Sequence, residues 1–313
     1  MAPFSVTLPD GNNLTGLEHF PDATAGTTGV SARPLVVAVH GGTYTSSYFD
    51  ADESHSVVRI SKALGIPVIA IDRPGYGGSS PLAPILSQSS YIQEQAKYLH
   101  QTILPFLWER YAPELKVSSI FLYAHSIGGA ITLVAASLHG SSKLPEVYPL
   151  CGISISGVGS KVNKLPMPEF ELDPQEMGGV LLGFPSEQKD HLMLGSPSFY
   201  DPAILQQTER LQHKASLLEL YDINVLWRGY WREYAASVKV PVLYTLAEHD
   251  NLWSNTGKDV EEFAVAFVDS PTVESRRLLA APHCIELSLQ GTGLYLRTFG
   301  FAVESAVQLK VGV

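Results

Sequence analysis

The chain has 313 residues, a formal net charge of −10 and two cysteines. Hydrophobic residues make up 45% and charged residues 17%, which supplies a core and excludes a disordered chain. Two cysteines exclude a disulfide scaffold and a cysteine-rich zinc site, and 31 acidic against 21 basic residues argue against a nucleic-acid partner.

The length admits two domains of about 150 residues or one larger α/β domain. Met1 to Asp10 lacks the basic and apolar regions of a signal peptide. No stretch approaches the roughly 20 apolar residues that span a bilayer. Asn13-Leu14-Thr15 matches a glycosylation sequon, a match that carries little weight without a leader. The expectation is a soluble, cytoplasmic protein with no membrane span, in which Cys151 and Cys284 are free buried thiols. Oligomeric state leaves no sequence signal.

In chain order, short apolar runs alternate with helix-length segments. Leu35–Val39 ends at His40-Gly41-Gly42, Ile66–Ile71 at Asp72-Arg73-Pro74-Gly75, and Ser119–Ala124 at His125-Ser126. Leu150–Ile155 ends at Ser156-Gly157, and Val240–Leu246 and Arg277–Ala280 follow. Such runs suit strands covered on both faces. Helices are expected over about 46–64, 90–111, 127–139, 255–268 and 288–309. This alternation predicts a mostly parallel sheet, with ligands outside the carboxyl ends of its strands.

One long segment, 158–238, interrupts the pattern. It opens with Pro166, Pro168, Pro174, Gly178 and Gly179 and later carries Trp227, Tyr230, Trp231 and Tyr234. About 80 residues is too long for a plain connection and predicts a cap inserted into a core made of 1–157 and 239–313. The cap aromatics either pack the cap's own core or line a pocket.

Four short motifs carry chemistry. Ala124-His125-Ser126-Ile127-Gly128 follows a strand and opens a helix, a variant of G-x-S-x-G with Ala124 in the first position. Small residues are needed at both flanks because the turn brings two backbones together. Ser126 is the candidate nucleophile. His40-Gly41-Gly42-Thr43 follows the first long strand, where glycine lets backbone approach a substrate. The amides of Ile127 and of Gly42 or Thr43 are candidate oxyanion donors. Ala247-Glu248-His249-Asp250 ends a later strand, and Asp250 is the candidate acid, with Glu248 next in line. His283, in Ala281-Pro282-His283-Cys284, is the candidate base.

The order Ser126, Asp250, His283 is that of α/β-hydrolases, which the chain resembles over nearly its whole length. Asp72-Arg73-Pro74-Gly75-Tyr76-Gly77-Gly78-Ser79 resembles the loop after the fourth strand of that superfamily. The overall pattern is similar to fungal hydrolases of natural-product pathways. The resemblance implies a mostly parallel eight-stranded sheet flanked by helices, with a lid between strands six and seven. It also implies a Ser126–His283–Asp250 triad needing no metal or organic cofactor. Serine at 126 sets the chain apart from relatives that use aspartate there, the epoxide hydrolases and haloalkane dehalogenases.

The expected reaction is hydrolysis of an ester, lactone or thioester of a small molecule through an acyl-enzyme. Two alternatives stay open: lyase, cyclase or acyltransferase chemistry on the same fold, which product analysis would reveal, and a receptor or carrier, marked by tight binding without turnover. Candidate pocket residues are His40, Tyr44, Trp227 and Trp231. Tyr44, Tyr48 and Phe49 could equally pack the first helix, and Arg73 is expected to tie loops together by ion pairs.

Overall fold

The apolar runs become strands of one eight-stranded sheet. The computed structural model describes residues 1–21, 32–82, 89–142, 147–163 and 176–312. The chain opens with an antiparallel hairpin, β1 (Ala2–Thr7) and β2 (Asn13–His19), whose turn uses Gly11 at φ 85°. Then follow β3 (Pro34–Val39), α1 (Val58–Leu64), β4 (Val68–Ile71), α2 (Tyr91–Tyr98) and α3 (Leu104–Leu115). Next come β5 (Ser119–His125), α4 (Ile127–Ser141) and β6 (Leu150–Ser156). The sheet is completed by β9 (Val242–His249), α9 (Gly257–Ala264), β10 (Val273–Pro282) and the terminal α10 (Gly291–Val311). The strand order is β1-β2-β4-β3-β5-β6-β9-β10, and its β4-β3-β5-β6-β9-β10 ladder is parallel throughout.

Every residue of β3, β4, β5 and β6 is buried, which is why these strands read as unbroken apolar runs. Alternate residues feed opposite faces of the sheet. Leu35, Val37 and Val39 share one core with residues of α2, α3 and α4, while Val36 and Ala38 share a second with residues of α1 and α10.

The expected helix over 46–64 is confined to a short turn at Ser46–Phe49 and to α1. Between them the Asp52 carboxylate accepts from the backbone N–H groups of Ser54 and His55, and such local side-chain bonds compete with helix. The 90–111 helix continues to Leu115, with a π-helical turn at Leu99–Ile103 between α2 and α3.

Between β6 and β9, a two-stranded ribbon, β7 (Leu181–Leu182) with β8 (Ala215–Ser216), stands apart from the main sheet. Around it lie α5 (Ser186–Leu194), α6 (Thr208–Leu211) and α7 (Leu217–Tyr221), followed through a π-helical turn by α8 (Trp227–Ala236). α8 packs on α4 and joins the main core, with Trp231 stacked on Phe263 of α9 at 4.7 Å. The expected 158–238 segment thus ends in a helix of the main layer. Its proline-bearing part, 164–175, lies outside the described residues.

One close approach sets the height of α4 against the sheet. A Cβ on Gly128 would lie 2.4 Å from the Val39 carbonyl oxygen and 2.5 Å from that of His40. Gly300, exposed in α10, has open space around it. In a helix, Gly→Ala ordinarily stabilises by about 1 kcal/mol. We therefore expect Gly300→Ala to stabilise by up to ~1 kcal/mol and Gly128→Ala to destabilise by about 1–3 kcal/mol, as overpacking does. Urea titration of both variants checks the difference in sign.

Candidate active site

Ser126 stands at the corner between β5 and α4 with φ 55° and ψ −125°, a backbone state rare for a residue bearing a Cβ. Its amide donates to the Ser156 carbonyl at 2.7 Å, and its own carbonyl accepts the Gly129 amide at 2.7 Å, which starts α4. The facing loop must be bare for the corner to fit. A Cβ on Gly41 would come within 2.9 Å of the Ser126 Cβ.

Two more strand ends converge on this serine. Asp250 follows β9 and His283 follows β10. His283 Nε2 lies 3.1 Å from Ser126 Oγ, and His283 Nδ1 lies 2.8 Å from Asp250 Oδ2. Asp250 Oδ1 accepts the amides of Leu252 at 2.8 Å and Trp253 at 3.1 Å, so the carboxylate is aimed by its own loop. Asp250 and His283 are buried, while Ser126 keeps partial exposure. A carboxylate oxygen facing Nδ1 assigns the ring proton there and leaves the Nε2 lone pair facing the serine hydroxyl. Glu248 takes no part: it pairs with Arg277 at 3.2 Å and accepts the Ala280 amide.

The Ile127 amide is at the first turn of α4, where N–H groups have no partner within the helix. Gly42 lies against the Ile127 side chain, since a Cβ there would meet Ile127 Cδ1 at 2.8 Å. Thr43 adopts φ 63°, and its carbonyl accepts the His213 amide at 2.8 Å. Gly41 and Gly42 thus face Ser126 and Ile127, and Thr43 continues the same loop.

The four expected pocket residues are all buried. His40 is spoken for by backbone: its Nε2 accepts the Arg73 amide at 3.1 Å, so Nδ1 carries the proton and donates to the Gly41 carbonyl at 2.7 Å. Burial, then the charge of Arg73, holds its pKa well below the usual histidine value, and the ring is neutral. Tyr44 receives a hydrogen bond from Cys284 at 3.6 Å, and Lys189 Nζ sits 4.1 Å above its ring. Trp227 donates to the Gly159 carbonyl at 3.0 Å and, with Trp231, belongs to the main hydrophobic core. Cys151 and Cys284 are free and buried, as expected.

Sequence reasoning missed a buried polar cluster behind His283. The Glu286 carboxylate accepts from Tyr123 at 2.6 Å, Tyr48 at 2.7 Å and Ser156 at 3.0 Å. His125 Nδ1 lies 3.1 Å from Ser156 Oγ, and its ring packs on that of His283 at 4.8 Å between centroids. Ser156 spends its hydroxyl proton on Glu286, so it accepts from His125. Burial, then His283, depresses the His125 pKa well below its usual value, and burial raises that of Glu286. The only sequence signal was the position of Glu286, three residues after His283.

Among the described residues no group of three His, Cys, Asp or Glu side chains could hold a metal ion. Nor is any described helix long and apolar enough to cross a membrane.

No curated protein matches the sequence. Solved structures of the same fold include an esterase from Thermogutta terrifontis, 15% identical with a TM-score of 0.63 over 98% of this chain and 100% of that one. A monoacylglycerol lipase from Paleococcus ferrophilus is 19% identical, with a TM-score of 0.59 over 88% and 96% of the two chains. An N-acyl homoserine lactonase is 14% identical, with a TM-score of 0.60 over 98% of each. The comparisons do not support the resemblance to fungal pathways. A profile described as the alpha/beta hydrolase family matches residues 36–290, and the chain belongs to that family.

Proposed function

We propose that this protein is a serine hydrolase that cleaves a carboxylic ester, lactone or thioester of a small molecule, with Ser126 as nucleophile, His283 as base and Asp250 as acid. The observation that carries this reading is the unbroken line of contacts from Ser126 Oγ through His283 to Asp250, at 3.1 and 2.8 Å. His283 Nε2 takes the hydroxyl proton as Ser126 attacks the carbonyl, and Asp250 stabilises the imidazolium that results. The amides of Ile127 and of Gly42 or Thr43 receive the developing oxyanion. His283 then returns the proton to the leaving group, and a water activated by the same ring releases the acid.

The segment between β6 and α8 forms the cap over this site in our reading, and its β7–β8 ribbon with α5–α7 selects the substrate. The corner at Ser126, the bare loop at Gly41 and Gly42 and the buried carboxylate at Asp250 support the assignment together.

Ser126→Ala should lower kcat for hydrolysis of p-nitrophenyl acetate by about 10⁴-fold or more, as loss of a triad member does. Turnover close to wild type would remove Ser126 from the mechanism. Asp250→Asn keeps the acceptor for the Leu252 and Trp253 amides but turns an N–H₂ toward His283 Nδ1. It should trap the wrong tautomer, costing about 10³–10⁴-fold in kcat with little change in melting temperature. An active Asp250→Asn enzyme would pass the acid's role to another group.

A further inference from the structure

Arg73 is 1% exposed and all three of its guanidinium nitrogens donate hydrogen bonds. Nε donates to the His40 carbonyl at 2.9 Å, one terminal nitrogen to Gln95 at 3.0 Å, and the other to the Gly41 carbonyl at 3.1 Å. That last nitrogen also donates to Glu219 Oε1 at 2.6 Å. Glu219 belongs to α7, in the segment between β6 and β9, and is wholly buried. Tyr76 donates to the same oxygen at 3.1 Å.

The consequence for the site comes from peptide planarity. The Gly41 carbonyl and the Gly42 N–H belong to one trans peptide and point in opposite directions. Holding that carbonyl, from His40 Nδ1 at 2.7 Å and from Arg73, therefore fixes the direction of the Gly42 N–H. Arg73 in turn is buried and needs a counter-charge, because a guanidinium left unpaired in a core is strongly disfavoured. Glu219 supplies it from 146 residues away. Glu219 also lies close to the loop itself, since a Cβ on Gly42 would be 3.5 Å from Glu219 Oε1.

We infer that Glu219 is a positioning residue for the oxyanion hole: through Arg73 it holds the Gly41–Gly42 peptide in its donating orientation, so that seating α7 and assembling the hole are one event. This rests on the hydrolase reading above. Glu219 acts on the amide that meets the developing charge and does not itself touch the reacting carbonyl. Loosening it affects the tetrahedral state far more than the bound ester. The coupling is reciprocal, so filling the hole also holds α7 down.

The test is Glu219→Gln, which keeps the shape and an acceptor oxygen but removes the charge, assayed with p-nitrophenyl acetate. A trifluoromethyl ketone, which forms a tetrahedral oxyanion on an attacking serine, reports on the hole directly. We expect kcat and affinity for the ketone to fall together, by about 10²-fold, the range for loss of an oxyanion donor, with KM changed less than about 3-fold. A residue that served only to hold the fold would move KM and melting temperature without this matched pair of losses. If Glu219→Gln folds poorly, the double variant Arg73→Met/Glu219→Met replaces the pair by apolar side chains of similar length. It should fold and still be slow, because the Gly41 carbonyl is no longer held.

Wild-type kcat and ketone affinity in either variant would overturn the proposal. Ser126→Ala measured in parallel separates the two levels. If it is inactive while Glu219→Gln is unimpaired, only the positioning role fails. If Ser126→Ala retains turnover, the hydrolase reading itself fails.

Discussion

A serine held at φ 55° between a strand and a helix costs about 1–3 kcal/mol that the surrounding structure must offset. The site is arranged around that constraint. β5 is clamped by parallel ladders to β3 on one side and β6 on the other, and the Ser126 amide is tied to the Ser156 carbonyl across the β5–β6 seam. α4 can begin at once only because Gly128 passes the carbonyl ends of β3 without a side chain. With the corner held, the carboxyl ends of β9 and β10 bring Asp250 and His283 into line, and the loop after β3 brings Gly41 and Gly42 against Ser126 and Ile127. A sheet of fixed register thus delivers distant residues to one point within hydrogen-bond distance.

Behind that point lie two buried polar networks, and they hold different parts of the site. Glu286, with Tyr48, Tyr123 and Ser156, supports His125, whose neutral ring backs the ring of His283. Arg73, with His40, Gln95 and Glu219, grips the loop that carries Gly42. Hydrogen bonds among buried polar groups rigidify what they touch, although Glu219 Oε2 has no hydrogen-bond partner among the described residues. Rigidity is what electrostatic stabilisation of a transient charge requires, because donors that must reorganise give back what they gain.

Much of this was legible in the sequence because the constraints are local. Strands buried on both faces read as apolar runs, and a sharp corner demands small residues around Ser126. The acid and base follow strand ends, so Asp250 and His283 stood in recognisable places. What escaped depends on partners far along the chain. The β1–β2 hairpin is half exposed and mixes polar with apolar residues, so its alternation is faint. Only the inner stretch of β10 was recognised, because this edge strand is largely half exposed. Glu219 and Glu286 look like ordinary helix and loop carboxylates until Arg73 and the tyrosines of other elements surround them. Trp227 and Trp231 were ambiguous between pocket and core for the same reason. Only the stacking of Trp231 on Phe263 and the Trp227 bond to Gly159 set them in the core.

The proposed chemistry turns on Ser126 being a nucleophile activated by His283. The most direct measurement is intact-mass and peptide mapping after treatment of the native protein with diisopropyl fluorophosphate. A single adduct is expected, on Ser126, formed in step with loss of esterase activity and greatly slowed in His283→Gln. An adduct on another residue, or a native protein that hydrolyses esters while Ser126 stays unmodified, would contradict it.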